Sequence, residues 1–486
     1  MAPSRLDAIL YDGKFHSITY TGTVVRGNRT LMPTACSAAQ WSHQGCYCCP
    51  PTRITANAGV PNVDSHSDLE AGKKQAPAKQ SEMAPAVSIY KVRMQFRGLD
   101  GNSYTPQYVP IGPYHLSCSS PRTQKEKLCG VSFLKSLSDE HTLARLVDKL
   151  EPRARECYTD GVGLLTPEQF SGMLLRDGCY LLLLFVHYVT GACSNGGAST
   201  AAGGVSDSAV VRDTVFLVEN QIPLFVLEKI HEHITGGASM SVLGNIAVSV
   251  QELLQAQLYI SKKLRPAPQQ ASHLLHLVHH YFQPTNPPPP EMAASTARRT
   301  GRWRRATEYG RYGGMRFKRR AFVSGEEWTV LDVRLKRGTL CVPHLRVDSN
   351  TWAVLRNLMA LEEHVPRRPV TAYCIFMSQV AGTVEDVRLL VNAGIVEHFL
   401  PSDEQVAQGF ADLCNGVVMD VDNLHRNYLK PIWHKLQERC QSRVFRFMGW
   451  FRHDRHLCMA IAFLMALIVL VCQVTQTFYA VTGVRR

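Results

Sequence analysis

The sequence predicts a mainly α-helical protein: a large cytosolic body of many helices with one small β-hairpin, followed by a single C-terminal transmembrane helix. Three observations favour this class. Apolar residues recur at helical spacing in several segments between residues 140 and 440. One segment alternates in the manner of paired strands, and the C-terminal region carries a long uncharged apolar run. With 486 residues, 45% of them hydrophobic, the chain can bury a sizeable core.

Residues 1–87 are predicted to be a disordered N-terminal extension. The stretch that begins at Ala71 reads AGKKQAPAKQSEMAPA, which is rich in Ala, Lys, Pro and Gln and lacks apolar periodicity. The first ten residues, MAPSRLDAIL, contain no apolar run long enough for a secretory signal. We expect order to begin near Ser88.

A helical domain is predicted over residues 88–450. Its first strong helical face consists of four residues: Leu143, Leu146, Val147 and Leu150. Pro152 should end or kink this helix, because proline lacks the N–H that the helix needs. Capping signals or apolar periodicity indicate further helices at Thr166–Val189, Asp213–Ile230 with an interruption at Pro223, Val250–Leu264, Leu355–Glu362, Thr383–Gly394, Ser402–Phe410 and Asn423–Arg446. Residues 191–204 and 284–300 are predicted loops, since small residues dominate the first and four consecutive prolines interrupt the second.

A β-hairpin is predicted at Val330–Val342. Leu331, Val333 and Leu335 alternate with polar residues, and the pattern resumes after the dipeptide Arg337-Gly338. Alternation on both sides of a two-residue turn is typical of a hairpin.

The predicted transmembrane helix is Leu457–Val481, which contains sixteen uncharged residues in succession, LCMAIAFLMALIVLVC. Twenty-five helical residues extend about 37 Å at 1.5 Å per residue. This exceeds the hydrocarbon thickness of about 30 Å. A buried core helix is the alternative, because Gln473 and Gln476 lie in the second half.

The charges beside this segment predict its orientation. Arg446, Arg452 and Arg455 precede it, whereas Arg485 and Arg486 follow it. The more basic flank normally stays on the cytosolic side. We therefore expect a single-pass protein of the plasma membrane or an endomembrane, with its N-terminal body in the cytosol.

The net charge of +13 is concentrated between Arg298 and Arg320, where nine arginines and one lysine face a single acid, Glu308. Three interpretations stay open: nucleic-acid binding, contact with an anionic membrane leaflet, and a solvated basic loop. The membrane anchor favours lipid over nucleic acid, which is not expected as a partner. The residues that would contact anionic lipid headgroups are Arg298, Arg299, Arg302, Arg304 and Arg305.

Seven short motifs occur in order along the chain: YVPIGPYH at Tyr108–His115, RECY at Arg155–Tyr158, RDGCY at Arg176–Tyr180, VENQIP at Val218–Pro223, RATE at Arg305–Glu308, LRNLMALE at Leu355–Glu362 and QTFYA at Gln476–Ala480. Together they resemble the plant domain-of-unknown-function 247 family over residues 88–480. The resemblance implies a mostly helical cytosolic domain, one C-terminal span and no established biochemical activity. Some grass members of that family are linked to self-incompatibility between pollen and stigma.

The motif residues are interpreted as structural. They are Gly112, Pro113, His115, Asp177, Gly178, Cys179, Glu219, Asn220, Gln221, Pro223, Asn357 and Glu362. Polar residues beside an interrupted helix are needed to pair its free backbone groups. We expect Glu219-Asn220-Gln221 to be buried and hydrogen-bonded near Asp177.

The sequence carries no phosphate loop, Rossmann fingerprint, nucleophile elbow or metal-ligand spacing. Four histidines at His273, His276, His279 and His280 are interpreted as packing and surface residues rather than metal ligands. No catalytic, cofactor or metal site is therefore expected. The predicted function is a membrane-anchored, non-catalytic interaction or signalling protein with an unidentified protein partner. The alternative is an enzyme of unrecognised type that combines Cys179, a histidine and an acid.

Overall fold

The computed structural model describes residues 88–97, 101–135, 140–159, 162–190, 207–236, 242–285, 299, 301–424, 426–443 and 455–483. The predicted disordered extension, residues 1–87, lies outside these ranges. So do the predicted loop 191–204 and most of the predicted loop 284–300. The described part is mainly helical, which confirms the predicted fold class.

Fifteen α-helices lie within the described residues. The first nine are α1 (Met94–Arg97), α2 (Pro121–Lys135), α3 (Glu140–Arg155), α4 (Pro167–Thr190), α5 (Asp207–Val211), α6 (Leu224–Thr235), α7 (Val242–Ala256), α8 (Leu274–Tyr281) and α9 (Ala306–Gly313). Two short 3-10 turns, Gly101–Tyr104 and Leu116–Cys118, and a π-helical turn, Arg212–Phe216, lie among them. The remaining six are α10 (Thr351–Glu362), α11 (Pro369–Val380), α12 (Val384–Asn392), α13 (Asp403–Leu413), α14 (Lys430–Gln441) and α15 (Arg455–Gly483).

Two small sheets accompany the helices. Strands β1 (Arg316–Arg319), β2 (Arg334–Lys336) and β3 (Thr339–Val342) form one sheet in the order β1-β3-β2. In it, β1 runs parallel and β2 antiparallel to β3. Strands β4 (Leu345–Val347) and β5 (Val396–His398) form a parallel pair. The sequence indicated the β2–β3 hairpin but not β1, β4 or β5.

The hairpin turns at the expected dipeptide. Arg337 and Gly338 have φ angles of 43° and 80°. Positive φ at both central residues is the geometry of a type I′ turn, whose twist matches the flanking strands. The alternating pattern of Val330–Val342 overstated the strand lengths, because only three residues of β2 pair with β3.

Helix α4 lies at the centre of the N-terminal half of the body, packed against α2, α3, α6 and α7. It begins as expected, since the Gln169 N–H donates to Thr166 Oγ1 at 3.3 Å and the Thr166 N–H donates to Gln169 Oε1 at 3.1 Å. This reciprocal capping box pairs two backbone donors at the helix start. Phe170 and Leu174 are fully buried and contribute to the core.

Three predicted helix bounds differ from the structure: the first helix does not end at Pro152, the helix expected over Val250–Leu264 is displaced, and the helix expected over Asn423–Arg446 is shorter, Lys430–Gln441. Helix α3 continues through Pro152 to Arg155. Proline removes only one backbone donor, and the side chain of Arg155 donates to the carbonyls of Val162 and Leu165, which holds the last turn in place. The helix expected over Val250–Leu264 instead spans Val242–Ala256 and ends before Leu258, whose φ of 59° is not helical.

Helix α15 differs from the other long apolar helix, α4, in its exposure. Met459–Gly483 comprises 25 residues, and its most apolar stretch of 18 residues has a mean hydropathy of 2.2 and is not buried in the protein. By length and composition this helix can cross a membrane.

Packing should decide how the body responds to two glycine substitutions within helices. Alanine is more favourable than glycine in a helix by about 1 kcal/mol. A Cβ at Gly244 in α7 meets no atom within 4 Å. A Cβ at Gly409 in α13 would overlap the indole of Trp352, which packs edge-on against Phe410 at 5.1 Å. Gly244→Ala should therefore raise the free energy of unfolding by about 0.5–1 kcal/mol. Gly409→Ala should lower it by about 1–3 kcal/mol.

The measurement is urea unfolding of the full chain in a mild detergent. The two variants control for each other, because both replace a helical glycine. Stabilisation by Gly409→Ala would contradict the tight approach of α13 to Trp352.

Candidate functional site

The VENQIP motif, Val218–Pro223, lies where the chain leaves the π-helical turn and enters α6. Glu219, Asn220 and Gln221 are 2%, 0% and 1% exposed. A non-helical segment at this depth leaves backbone donors and acceptors that water cannot reach, so side chains must pair them. The expected burial of the triplet is observed, and its contacts, described below, form a buried polar network.

Asn220 joins the motif to the Pro- and Gly-rich segment 104–115. Its Oδ1 accepts from the Ile111 N–H at 2.6 Å. Its Nδ2 donates to the carbonyl oxygens of Val109 and Asp213, each at 2.8 Å. One amide side chain therefore satisfies three backbone groups from two separate segments.

Gln221 pairs backbone groups of the preceding turn and of α8. Its Nε2 donates to the carbonyl of Leu217 at 2.8 Å, and its Oε1 accepts from the Leu275 N–H at the start of α8 at 3.2 Å. The backbone carbonyl of Gln221 accepts from the Tyr158 hydroxyl at 3.0 Å. Pro223 is the N-cap of α6, with φ −60°.

Asp213 is an anchor of the network that the sequence analysis did not assign to a site. Its Oδ2 accepts from the backbone N–H groups of Gln107, Tyr108 and Val109 at 2.9, 2.6 and 3.1 Å. Burial raises the pKa of Asp213, and these bonds together with the charge of Arg212 oppose that shift only in part. The prolines of the 104–115 segment could have indicated such an acceptor. They prevent a helix, so the buried N–H groups of the segment need side-chain oxygens as partners.

Asp177 holds the next turn of the same segment. Its Oδ2 accepts from the Gly112 N–H at 2.8 Å, and its Oδ1 forms an ion pair with Lys127. Lys127 also donates to the Pro110 carbonyl. Lys127 is a second residue that sequence reasoning missed, since a single lysine in an amphipathic helix looks like a surface residue.

Gly112 and Gly178 are needed for close approach. Gly112 has φ +72°, and a Cβ there would overlap the Gln221 carbonyl. At Gly178 a Cβ would press on the tip of Ile230, where α4 crosses α6. Neighbouring Pro113 is buried within the same segment.

Glu219 links the N-terminal segment 92–97 to the VENQIP motif. Its Oε1 accepts from the Val92 N–H at 2.6 Å, and its Oε2 pairs with Arg97 and lies 3.3 Å from His115 Nε2. Burial alone would raise the pKa of Glu219, but the hydrogen bonds from His115, Arg97 and Val92 outweigh it and lower the pKa. The carboxylate is therefore held in its charged form.

Two residues of the LRNLMALE motif also pair buried backbone groups. Asn357 Oδ1 accepts from the Val218 N–H at 2.9 Å, and its Nδ2 donates to Ser103 and Ala353 carbonyls. Glu362, 0% exposed, caps α11 by accepting from the N–H groups of Val370 and Thr371.

The histidines available to the rival enzyme hypothesis face two different acids. His115 Nε2 faces Glu219, and His279 Nε2 faces Glu362 at 2.9 Å. Cys179 is 0% exposed within α4. Within the described residues no group of three or more His, Cys, Asp or Glu could hold a metal ion.

The basic segment forms a surface groove instead of joining this network. Arg302, Arg304 and Arg305 line a groove of about 470 Å³ together with Glu308 and Thr383. Arg305 is paired with Glu308 at 3.0 Å, which offsets part of its charge. Of the other arginines predicted to contact lipid, Arg299 is exposed and Arg298 lies outside the described residues.

These features define a class: a helical body organised around an interrupted, polar-paired helix, with a C-terminal helix able to cross a membrane. The chain belongs to the plant domain-of-unknown-function 247 family, whose model, described as a plant protein of unknown function, matches residues 89–472.

Two Arabidopsis thaliana proteins are similar to this chain. UPF0481 protein At3g47200 is 26% identical over 418 residues, which cover 79% of this chain and 84% of that protein. Putative UPF0481 protein At3g02645 is 28% identical over 149 residues, which cover 29% of this chain and 26% of that protein. No solved structure matches the chain.

Replacing Asn220 by Leu should leave the Ile111 N–H and the Val109 and Asp213 carbonyls unpaired. We expect the free energy of unfolding to fall by about 1–3 kcal/mol, the cost of unsatisfied buried groups. The matched control is Asn415→Leu, since Asn415 is exposed and its Nδ2 donates to the side chain of Asp412. Denaturant unfolding of the full chain in detergent measures both. Equal effects of the two substitutions would refute the role of Asn220.

Glu219 should make stability depend on pH. Its lowered folded pKa means that the native state binds the proton less readily than the unfolded chain, whose value is near 4.5. The stabilisation is therefore fully present above about pH 4.5 and is lost as pH falls through the folded pKa. Glu219→Gln should be less stable than wild type at pH 7, and this difference should shrink below pH 4.5. The exposed Glu438→Gln is the control, and a gap that stays constant with pH would exclude a charged Glu219.

Proposed function

We propose that this chain is a single-pass, membrane-anchored, non-catalytic interaction protein whose helical body lies in the cytosol. The observation that carries the proposal is helix α15, in which Met459–Gly483 spans 25 residues without a charge and is exposed throughout. In water such a surface would be unfavourable by about 25 cal/mol per Å² of apolar area. A bilayer removes that cost.

The flanking charges support the orientation. Arg446, Arg452 and Arg455 precede the span, and only Arg485 and Arg486 follow it. A basic flank is retained in the cytosol. The body, on the N-terminal side of the span, would then face the cytosol at the plasma membrane or an endomembrane.

The buried polar network supports a non-catalytic role. Its carboxylates and amides are engaged with backbone groups, as for Asp213 with three N–H donors and Asn220 with three backbone partners. The buried thiols of Cys157 and Cys374 have pKa values raised by burial, which disfavours the reactive thiolate. A body of this kind presents surfaces to a partner rather than a reacting group to a substrate.

The family is of unknown function, so the biological setting is a proposal as well. Cell recognition of the self-incompatibility type is the setting that the family resemblance suggests. The lipid contact of Arg299, Arg302, Arg304 and Arg305 is a further expectation, supported by their position in and beside a surface groove.

The topology can be tested with tagged protein in native membranes. A tag at the N-terminus should be cleaved by added protease without permeabilisation, whereas a tag at the C-terminus should be cleaved only after detergent is added. A chain truncated after Arg452 should move to the soluble fraction, because it lacks the span. Retention of the truncated chain on salt-washed membranes would refute the single anchor, and protection of the N-terminal tag would refute the orientation.

A further inference from the structure

The three-stranded sheet has one face on which cations predominate. Residues paired across neighbouring strands project to the same side of a sheet. The registers align Arg316, Thr339 and Lys336 in one row and Lys318, Cys341 and Arg334 in the next. We call these six positions the basic sheet face. Four of the six are cations and the other two are uncharged.

This face points away from the core. The intervening residues Leu340 and Val342 are 0% and 1% exposed, so the opposite side of β3 packs inward. Arg316, Lys318 and Lys336 are exposed, and Arg334, Thr339 and Cys341 are half-buried. The exposed pattern follows from the strand period of two.

The cations are available to an external anion. Among the described residues, none of Arg316, Lys318, Arg334 and Lys336 takes part in an ion pair. The acid whose charge interacts with Arg334 is Glu326, which is already paired with Arg320 at 3.2 Å. By contrast, Arg305 in the arginine groove has Glu308 as a direct partner.

The spacing suits several negative charges at once. Cations two residues apart on one strand are about 7 Å apart, and the outer strands are about 10 Å apart across β3. The central strand contributes only Thr339 and Cys341, which are short. The face is therefore a shallow trough between two cationic ridges.

The sheet is tied to the end of the body that leads to the membrane. The turn at Gly338 packs against Arg439, near the end of α14. Seventeen residues separate Gln441, where α14 ends, from Met459, where the candidate span begins. An extended chain of that length reaches at most about 60 Å, so the membrane surface is always within reach of the sheet. A tether of this kind makes even weak binding effective.

We propose that the basic sheet face docks the body onto the anionic headgroups of the cytosolic leaflet, a proposal that rests on the membrane anchor proposed above. Charge complementarity and the tether favour this partner. Single-stranded nucleic acid is disfavoured, because its binding sites combine cations with aromatic stacking surfaces and none of the six positions is aromatic.

The experiment places the full chain in lipid nanodiscs and measures the acetylation rates of Lys318 and Lys336 by mass spectrometry. One set of discs contains only neutral phosphatidylcholine and the other contains about 30% phosphatidylserine, enough anionic lipid to attract basic segments. Both lysines should be acetylated at least fivefold more slowly in the anionic discs at low salt. Raising the ionic strength should abolish this difference, because salt screens exposed charges. The exposed Lys149 on α3 is the internal reference.

A double variant, Arg316→Gln with Arg334→Gln, removes half the charge and leaves both reporter lysines in place. It should lose most of the protection. The matched control is Arg122→Gln with Arg388→Gln, two exposed arginines on other elements, which should retain it. Circular dichroism verifies that both variants keep the fold.

Equal rates in neutral and anionic discs would overturn the proposal while leaving the anchor intact, provided that the protein co-elutes with both kinds of disc. Failure to co-elute would instead refute the anchor. Protection of the two lysines by a single-stranded oligonucleotide or by soluble tripolyphosphate, but not by anionic lipid, would overturn the assignment to a leaflet.

Discussion

The body depends on pairing the backbone of a helix that is interrupted inside the core. The segment between the π-helical turn and α6 is non-helical and buried, and the Pro- and Gly-rich segment 104–115 lies against it. Asp213, Asn220, Asp177 and Glu219 together accept six backbone N–H groups from residues 92, 107, 108, 109, 111 and 112. Each unpaired donor at such a depth would cost about 1–3 kcal/mol. These bonds therefore fix where the N-terminal segments lie.

The network contains buried carboxyl groups, and their pKa values depend on the balance between burial and hydrogen bonding. Asp213 has mainly backbone donors, and burial still raises its pKa. Glu219 has a guanidinium and an imidazole as well, and its pKa is lowered. The hydrogen bonds from His115, Arg97 and the Val92 N–H outweigh the loss of water at Glu219, whereas the backbone donors of Asp213, with the charge of Arg212, do not. Both carboxylates are engaged in positioning chain segments, so the surfaces free to meet a partner lie elsewhere.

The basic surfaces are concentrated near α14, the last helix before the candidate span. Helix α9 links the arginine groove at residues 302–305 to strand β1, and it packs on α14. A helix of eight residues is about 12 Å long, so the groove and the basic sheet face are neighbours. The basic residues that are close in the sequence therefore lie in two neighbouring surface patches, one at each end of α9.

Much of the architecture could be predicted from local sequence signals. The apolar C-terminal helix, the capping box at Thr166, the N-cap at Ser402, the β2–β3 hairpin and the burial of Glu219-Asn220-Gln221 all follow from short-range patterns. Such patterns work because helix caps, turns and apolar periodicity involve residues close in the chain. The motifs also placed the chain in its family, over residues 89–472.

Tertiary structure alone decided which distant groups meet. Asp213 and Lys127 carry no local signal. The N–H groups that Asp213 accepts, at residues 107–109, are 104 to 106 residues away, and Lys127 pairs with Asp177 on a different helix. The basic sheet face joins β1 to cations of the hairpin that follows 15 residues later. The sequence showed a run of charge, but only strand pairing could place two of its members, Arg316 and Lys318, on one side of a sheet with Arg334 and Lys336 from outside the run. The apolar pattern and the two-residue turn set the register of β2 on β3, but the parallel pairing of β1 with β3, which puts Arg316 beside Thr339, has no local signal.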